Sequence, residues 1–163
     1  MNKNLRIITF NAAAAALYVA LSFVFAPISF GAIQFRVSEA LCILPLVSPI
    51  SLAGLTLGCF ISNCFSPFGI VDVIVGTSAT LIAGLLMIWL KNCKIKDFPL
   101  LSFLSPVIIN GLMVGAEISI LSGDNFVAFL ISFLYVALGE AGVVAILGVP
   151  LYFALKKIEN KIF

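Results

Sequence analysis

The chain has no histidine among its 163 residues, and only 10% of them are charged. Without imidazole it lacks the commonest general base and the usual metal ligand. No Ser–His or Cys–His nucleophile can be assembled either, which weakens an enzyme reading. The four cysteines, Cys42, Cys59, Cys64 and Cys93, show no C-x-x-C spacing, so they read as small apolar side chains rather than a disulfide or metal set. There is no G-x-x-x-x-G-K-[ST] phosphate loop, which excludes ATP hydrolysis by that route within this chain. No basic surface interleaved with aromatics suggests nucleic-acid binding, and no two halves of the hydropathy pattern repeat as in many secondary transporters. Soluble domains carry about 25% charged residues. A chain that is 63% hydrophobic, with a mean hydropathy of +1.25, has the composition of an integral membrane protein.

A membrane-spanning helix takes about 20 apolar residues, so a compact bundle of six transmembrane helices uses nearly the whole chain as one all-α domain, residues 1–163. Helices are expected near 5–26, 38–48, 50–65, 70–91, 99–121 and 126–157, with Pro49 and Pro67 marking turns. Strands are not expected, because an open sheet cannot satisfy its backbone in lipid. The N-terminal run continues through "ALYVALSFVFAP", past the length of a signal-peptide core, and reads as a retained first helix. Lys3 and Arg6, then Lys91, Lys94 and Lys96, then Lys156, Lys157 and Lys161 fall on one side of a six-span chain. The positive-inside rule makes that side, and both termini, cytoplasmic. Arg36 is then the one basic residue outside, where topology has no use for it.

The acidic residues divide. Asp97, Asp124 and Glu159 lie in loops or the tail, where solvation explains them. Glu39, Asp72, Glu117 and Glu140 lie within or at the ends of expected spans, where a charge is costly and usually faces a cavity. Asn110 precedes Glu117 by seven residues and shares its helical face. With Asn63, these side chains converge on the outer half of the bundle. Glu140, deep in the last helix, suits either the floor of a pocket or a subunit contact. The structural alternative stays open: Arg36 paired with Glu39, Asp72 as a helix cap or dipole partner, and the asparagines bonding neighbouring spans. Small residues at intervals of four (Gly54, Gly58 and Ser62; Gly76, Thr80 and Gly84; Gly111 and Gly115) suit close internal packing. Ala12, Ala16 and Ala20 form a flatter strip suited to a detachable helix contact.

The alanine-rich first span, "IQFRVSEALCILP", "GLTLGCFISN" and "VDVIVGTSATLIAGLL" together resemble the QueT-type family. The most specific blocks are I-x-F-R-x-S/A-E-A-L at Ile33–Leu41 and D-x-[IV]-x-G-[ST]-x-A-T-L at Asp72–Leu81. The family comprises substrate-binding S components of energy-coupling factor (ECF) transporters, a branch of the ABC importers. The resemblance implies a multi-pass bacterial plasma-membrane subunit without enzymatic activity or a cofactor of its own. Its partners would be a transmembrane coupling subunit and two cytoplasmic ATPases that carry ATP and Mg, in a lipid bilayer. It implies that Ala12, Ala16 and Ala20 face that coupling subunit. The implied solute is a queuosine precursor, a 7-deazaguanine such as preQ1, preQ0 or queuine. Glu117 and Glu39 would accept its donors, with Asn110, Asn63, Gln34 and Asp72 in support and Phe35 and Phe68 as stackers. Arg36 would orient Glu39, and Glu140 ranks below Glu117. A different vitamin, or a stand-alone carrier relaying protons through Glu117 and Glu140, are the alternatives.

Overall fold

In a computed structural model, residues 2–29, 34–123 and 125–162 are described. Ile33 and Asp124 lie outside the described residues, as do the side chains of Lys3, Glu159 and Lys161. The described chain is helical, and its one extended pairing is an isolated bridge between Ile95 and Phe98. Helix α1 (Lys3–Val24) is followed by a short α2 (Ala26–Ser29), a 3₁₀ segment (Val37–Ile43) and one turn of α3 (Leu44–Val47). Then come α4 (Ser51–Asn63), α5 (Ile70–Leu90), α6 (Leu100–Leu121), α7 (Phe126–Val143), a π turn (Val144–Gly148) and α8 (Val149–Ile162). Among the described residues, four stretches are long and apolar enough to cross a membrane: Asn4–Val24, Ile70–Leu90, Leu100–Leu121 and Phe126–Lys157. Val37–Val47 and Ser51–Asn63 are apolar but shorter.

Two of the described helices start on capping asparagines. Asn2 caps α1, and Asn125 accepts from Val127 N and Ala128 N at 3.1 and 3.2 Å at the start of α7. The expected helix over 38–48 is corrected to a 3₁₀ segment with a single α turn. Pro45 sits in the first turn of α3, and a continuous α-helix would need its missing N–H to reach Leu41. The 3₁₀ segment is buried from Ser38 to Ile43. It runs through the middle of the bundle: Leu41 packs with Tyr18, Leu55 and Cys59, and Ile43 with Phe103, Val144 and Tyr152.

The small residues at intervals of four are internal seams. A Cβ on Gly54 would lie 2.4 Å from the carbonyl oxygen of Asn11, and one on Gly58 would lie 2.8 Å from the Cβ of Tyr18. Asn11 Oδ1 also accepts the Gly54 N–H at 2.6 Å, tying α1 to α4. Gly54→Ala must push two backbones apart, so it is expected to cost about 1–3 kcal/mol, read as a lower midpoint for unfolding in mixed detergent micelles. The face of α1 carrying Ala14, Ala15 and Tyr18 is buried, while Ala12, Ala16 and Ala20 are exposed.

Candidate functional site

Arg36 organises one end of the bundle. It precedes the 3₁₀ segment with extended backbone, and its guanidinium crosses to α5. There Nη2 donates to both oxygens of Asp72, at 3.0 and 3.1 Å. Nη1 donates to Asn63 Oδ1 at 3.5 Å, and Asn63 Nδ2 donates to the backbone oxygen of Asp72 at 3.1 Å. Gly76, one turn along α5, leaves the room: a Cβ there would lie 2.5 Å from Asn63 Nδ2 and 2.9 Å from Asp72 Oδ1.

One expectation is corrected here, and another is narrowed to one of its two alternatives. The ion pair joins Arg36 to Asp72, not Arg36 to Glu39. Residues three apart share a face only inside a helix, and Arg36 stands outside it. Asp72 is not the cap of α5, a position held by Gly69. It lies in the first turn, where the helix dipole favours its charge, and it spends its oxygens on arginine.

Glu39 is held instead by α1 and by its own segment. The Tyr18 hydroxyl donates to Oε1 and the Cys42 thiol to Oε2. Beside it Ser22 and Ser38 share a hydroxyl hydrogen bond of 2.9 Å. Tyr18 was not among the residues singled out from sequence. Its signal was there: a phenol inside an apolar span has to find a polar partner. Cys42 and Cys59 are buried free thiols, as expected, but they also join the polar network. Cys59 accepts from Thr80 Oγ1 at 3.2 Å and from Asn63 Nδ2 at 3.4 Å. Tyr18→Phe takes a donor from a buried carboxylate, so it is expected to lower stability by about 1.5–3 kcal/mol, measured by unfolding in the same micelles.

The remaining carboxylates are less satisfied. Glu117, four residues before the end of α6, is 4% exposed, yet neither carboxylate oxygen has a hydrogen-bond partner among the described residues. It lies within electrostatic reach of Asp72 and Arg36. Asn110 of α6 lies near Glu140 of α7, and Glu140 is within electrostatic reach of Glu39 and Arg36. Glu140 is 2% exposed with Oε1 unpartnered among the described residues, which places it in the interior rather than at a subunit contact. Gln34 is buried with a left-handed backbone, φ 48°, and its Oε1 is likewise unpartnered among the described residues. Phe35 lays its ring edge where a Cβ on Gly142 of α7 would lie 3.1 Å away. Phe68 is half-buried in the turn before α5, apart from these contacts.

Among the described residues the buried acidic and basic side chains are therefore one guanidinium, Arg36, and the carboxyl groups of Glu39, Asp72, Glu117 and Glu140. Asp72 is matched by Arg36; the other three are not matched by any buried cation among the described residues. Burial of unpaired carboxylates is expensive, so this interior suits a guest that brings donors or positive charge. No group of three potential metal ligands is present among the described residues.

Membrane-grade helices wrapped around an acid-rich polar interior make a membrane transport protein the class that this fold and site describe. The chain belongs to the QueT transporter family, whose pattern matches residues 8–157. It is 47% identical over 70 residues to the queuosine precursor transporter QueT of Lactococcus lactis subsp. cremoris (strain MG1363), a stretch covering 42% of this chain. The match spans 41% of that relative's length. No solved structure matches the chain.

Proposed function

We propose that the chain is the solute-binding S component of an ECF-type importer and captures a queuosine precursor on the outer side of a bacterial plasma membrane. The observation that carries this reading is Glu117, a buried carboxylate with no hydrogen-bond partner among the described residues, beside the Arg36–Asp72–Asn63 network. The name of the Lactococcus relative supports the solute class. A 7-deazaguanine presents N1–H and a 2-amino group side by side, two donors that Glu117 would accept together. PreQ1 and queuine also carry an amine that is cationic at neutral pH. The surplus of buried carboxylates favours them over preQ0, whose nitrile is neutral, with Glu140 or Glu39 as the second acceptor.

The short helices Val37–Val47 and Ser51–Asn63 would complete six passes. Whether that pair crosses fully or turns back, it adds an even number of crossings to the four long stretches. Both termini then share a side, and the lysines mark it as cytoplasmic. ATP and Mg would act in two ATPases bound to a coupling subunit, which meets the exposed strip of Ala12, Ala16 and Ala20.

The test is calorimetric titration of preQ1, preQ0, queuine and guanine into the detergent-purified chain and its Glu117→Gln variant. Tight deazaguanine binding, weakened about 10–150-fold by the substitution, is expected for a charge-assisted hydrogen bond worth about 1.5–3 kcal/mol. PreQ1 and queuine are expected to bind more tightly than preQ0. Folded protein that bound none of the four would remove the queuosine assignment and turn the search to other vitamins. Uptake that needs no ATP would replace the importer with a stand-alone carrier.

A further inference from the structure

The other end of α5 carries a second polar feature, unconnected with Glu117. Lys91, the residue just past α5, is roughly 28 Å from Asp72 along the helix at about 1.5 Å per residue. There a cavity of about 160 Å3 is lined by Leu46, Val47, Lys91, Asn92, Lys94, Pro99, Tyr152 and Lys156. Among the described residues, none of its three lysines has a carboxylate within ion-pair distance. The acidic residue of the α5–α6 loop, Asp97, is exposed and outside the lining. Lys156 does have one partner, the ring of Tyr152, with Nζ 5.7 Å from its centroid.

The cavity is built rather than incidental. The loop closes in a tight turn in which Ile95 and Phe98 exchange backbone hydrogen bonds of 2.9 and 3.1 Å. Lys96 and Asp97 take left-handed conformations, φ 50° and 65°, which non-glycine residues adopt only under constraint. Phe98 stacks on Phe103 at 4.8 Å and meets Tyr152 edge-on at 6.4 Å. That clasp fixes the loop against α8 and brings Lys91 and Lys94 to the cavity that Lys156 lines from the other side.

We infer that this cavity is a binding site for the phosphate headgroup of an anionic membrane phospholipid. Size argues for a single group: ligand pockets for whole small molecules run to about 300–1,000 Å3, and this one is close to the ~150 Å3 that accommodates a benzene ring. Position argues for a lipid rather than a dissolved ion. The lining residues stand where the apolar stretch Ile70–Leu90 ends, where Leu100–Leu121 begins and near the end of Phe126–Lys157, the depth at which lipid phosphates lie. Basic pockets between membrane helices on the cytoplasmic side take such headgroups. Leu90, which precedes Lys91, and Leu101, two residues after Pro99, line an apolar groove between α5 and α6 together with Leu86, Leu104, Ile108 and Ile109. It supplies a bed for an acyl chain.

The test is native mass spectrometry of the full chain in detergent, titrated with phosphatidylglycerol, with phosphatidylcholine of the same acyl chains, and with sodium phosphate. Phosphatidylglycerol is expected to be retained in preference to both. Substituting Lys91→Gln, Lys94→Gln and Lys156→Gln together should weaken it about a hundredfold, from roughly fivefold for each lysine near an anionic surface. The charge-matched set Arg6→Gln, Lys96→Gln and Lys157→Gln, all exposed and outside the cavity, should not. If the triple variant fails to fold, judged by circular dichroism, Lys94→Gln alone should still show the single-lysine loss. Equal loss in both sets, or equal retention of phosphatidylcholine, overturns the site. Displacement by phosphate at matching concentration assigns the cavity to a dissolved anion and overturns the lipid. Unchanged lipid retention with lost assembly of a transport complex would give it to an acidic protein segment and overturn it equally. None of these outcomes depends on which solute the opposite end binds.

Discussion

Arg36→Met is expected to lower the free energy of unfolding by about 3–5 kcal/mol, the usual loss when one partner leaves a buried ion pair. The size follows from what stays behind. Asp72 is fully buried, and without the guanidinium its carboxylate keeps only the favourable end of α5 as support. Asn63 loses a donor as well, although its link to the Asp72 backbone remains. Asp72→Leu alone should cost a similar amount, because it takes the carboxylate of the buried pair away from the guanidinium. The double variant Arg36→Met with Asp72→Leu is expected to lose much less than the sum, since replacing both members of a buried pair by apolar side chains is often neutral or better. Unfolding of the four proteins in mixed micelles measures the coupling directly. Additive losses would mean that the two charges are not held as a pair. Solute binding gives a second readout: a double variant that folds but binds no deazaguanine would place the pair in the recognition surface itself.

Much of this arrangement was legible in the sequence, because lipid makes polar residues conspicuous. Glu39, Asp72, Glu117 and Glu140 stood out as charges where apolar residues were due, and all four are buried. The long helices could be read to within a few residues, since membrane-length apolar runs leave little choice. What could not be read was pairing. Arg36 is 36 residues from Asp72 and three from Glu39, and sequence distance pointed to the nearer partner. The outcome depends on the 3₁₀ turn after Arg36, set in part by Pro45, and on a bare Gly76 surface that only the folded bundle brings opposite. Tyr18 was missed for a similar reason. Its hydroxyl is satisfied by a residue 21 positions away, on an element that is itself not an α-helix. The alanine strip was visible as a pattern. Its burial could not be read from spacing, because alanines occupy both faces of α1: Ala14 and Ala15 are buried, while Ala12, Ala16 and Ala20 are exposed.

That difference between the two faces of α1 sets up the second large effect. On the proposed reading as an ECF-type S component, Ala16→Trp is expected to leave folding and solute binding unchanged while uptake by the assembled importer falls to background. Ala16 is exposed, so a bulky ring there does not have to be fitted into the packed interior. Small residues spaced by four allow a partner helix to approach to backbone contact, and one large side chain holds it off. Leu17→Trp is the control, because Leu17 is also exposed but lies about 100° around the helix. It should transport normally. Calorimetry on the isolated chain and radiolabelled uptake in cells carrying the full transporter separate the two quantities. If both fell together, Ala16 would belong to the fold or the solute site, despite its exposure. If neither fell, the strip would be ordinary lipid-facing surface, and the coupling subunit would have to meet another face. The inward side of the same helix holds Tyr18 against Glu39. One rigid element therefore touches the polar interior on one side and presents the alanine strip on the other, and on the proposed reading it would join solute capture to the coupling subunit.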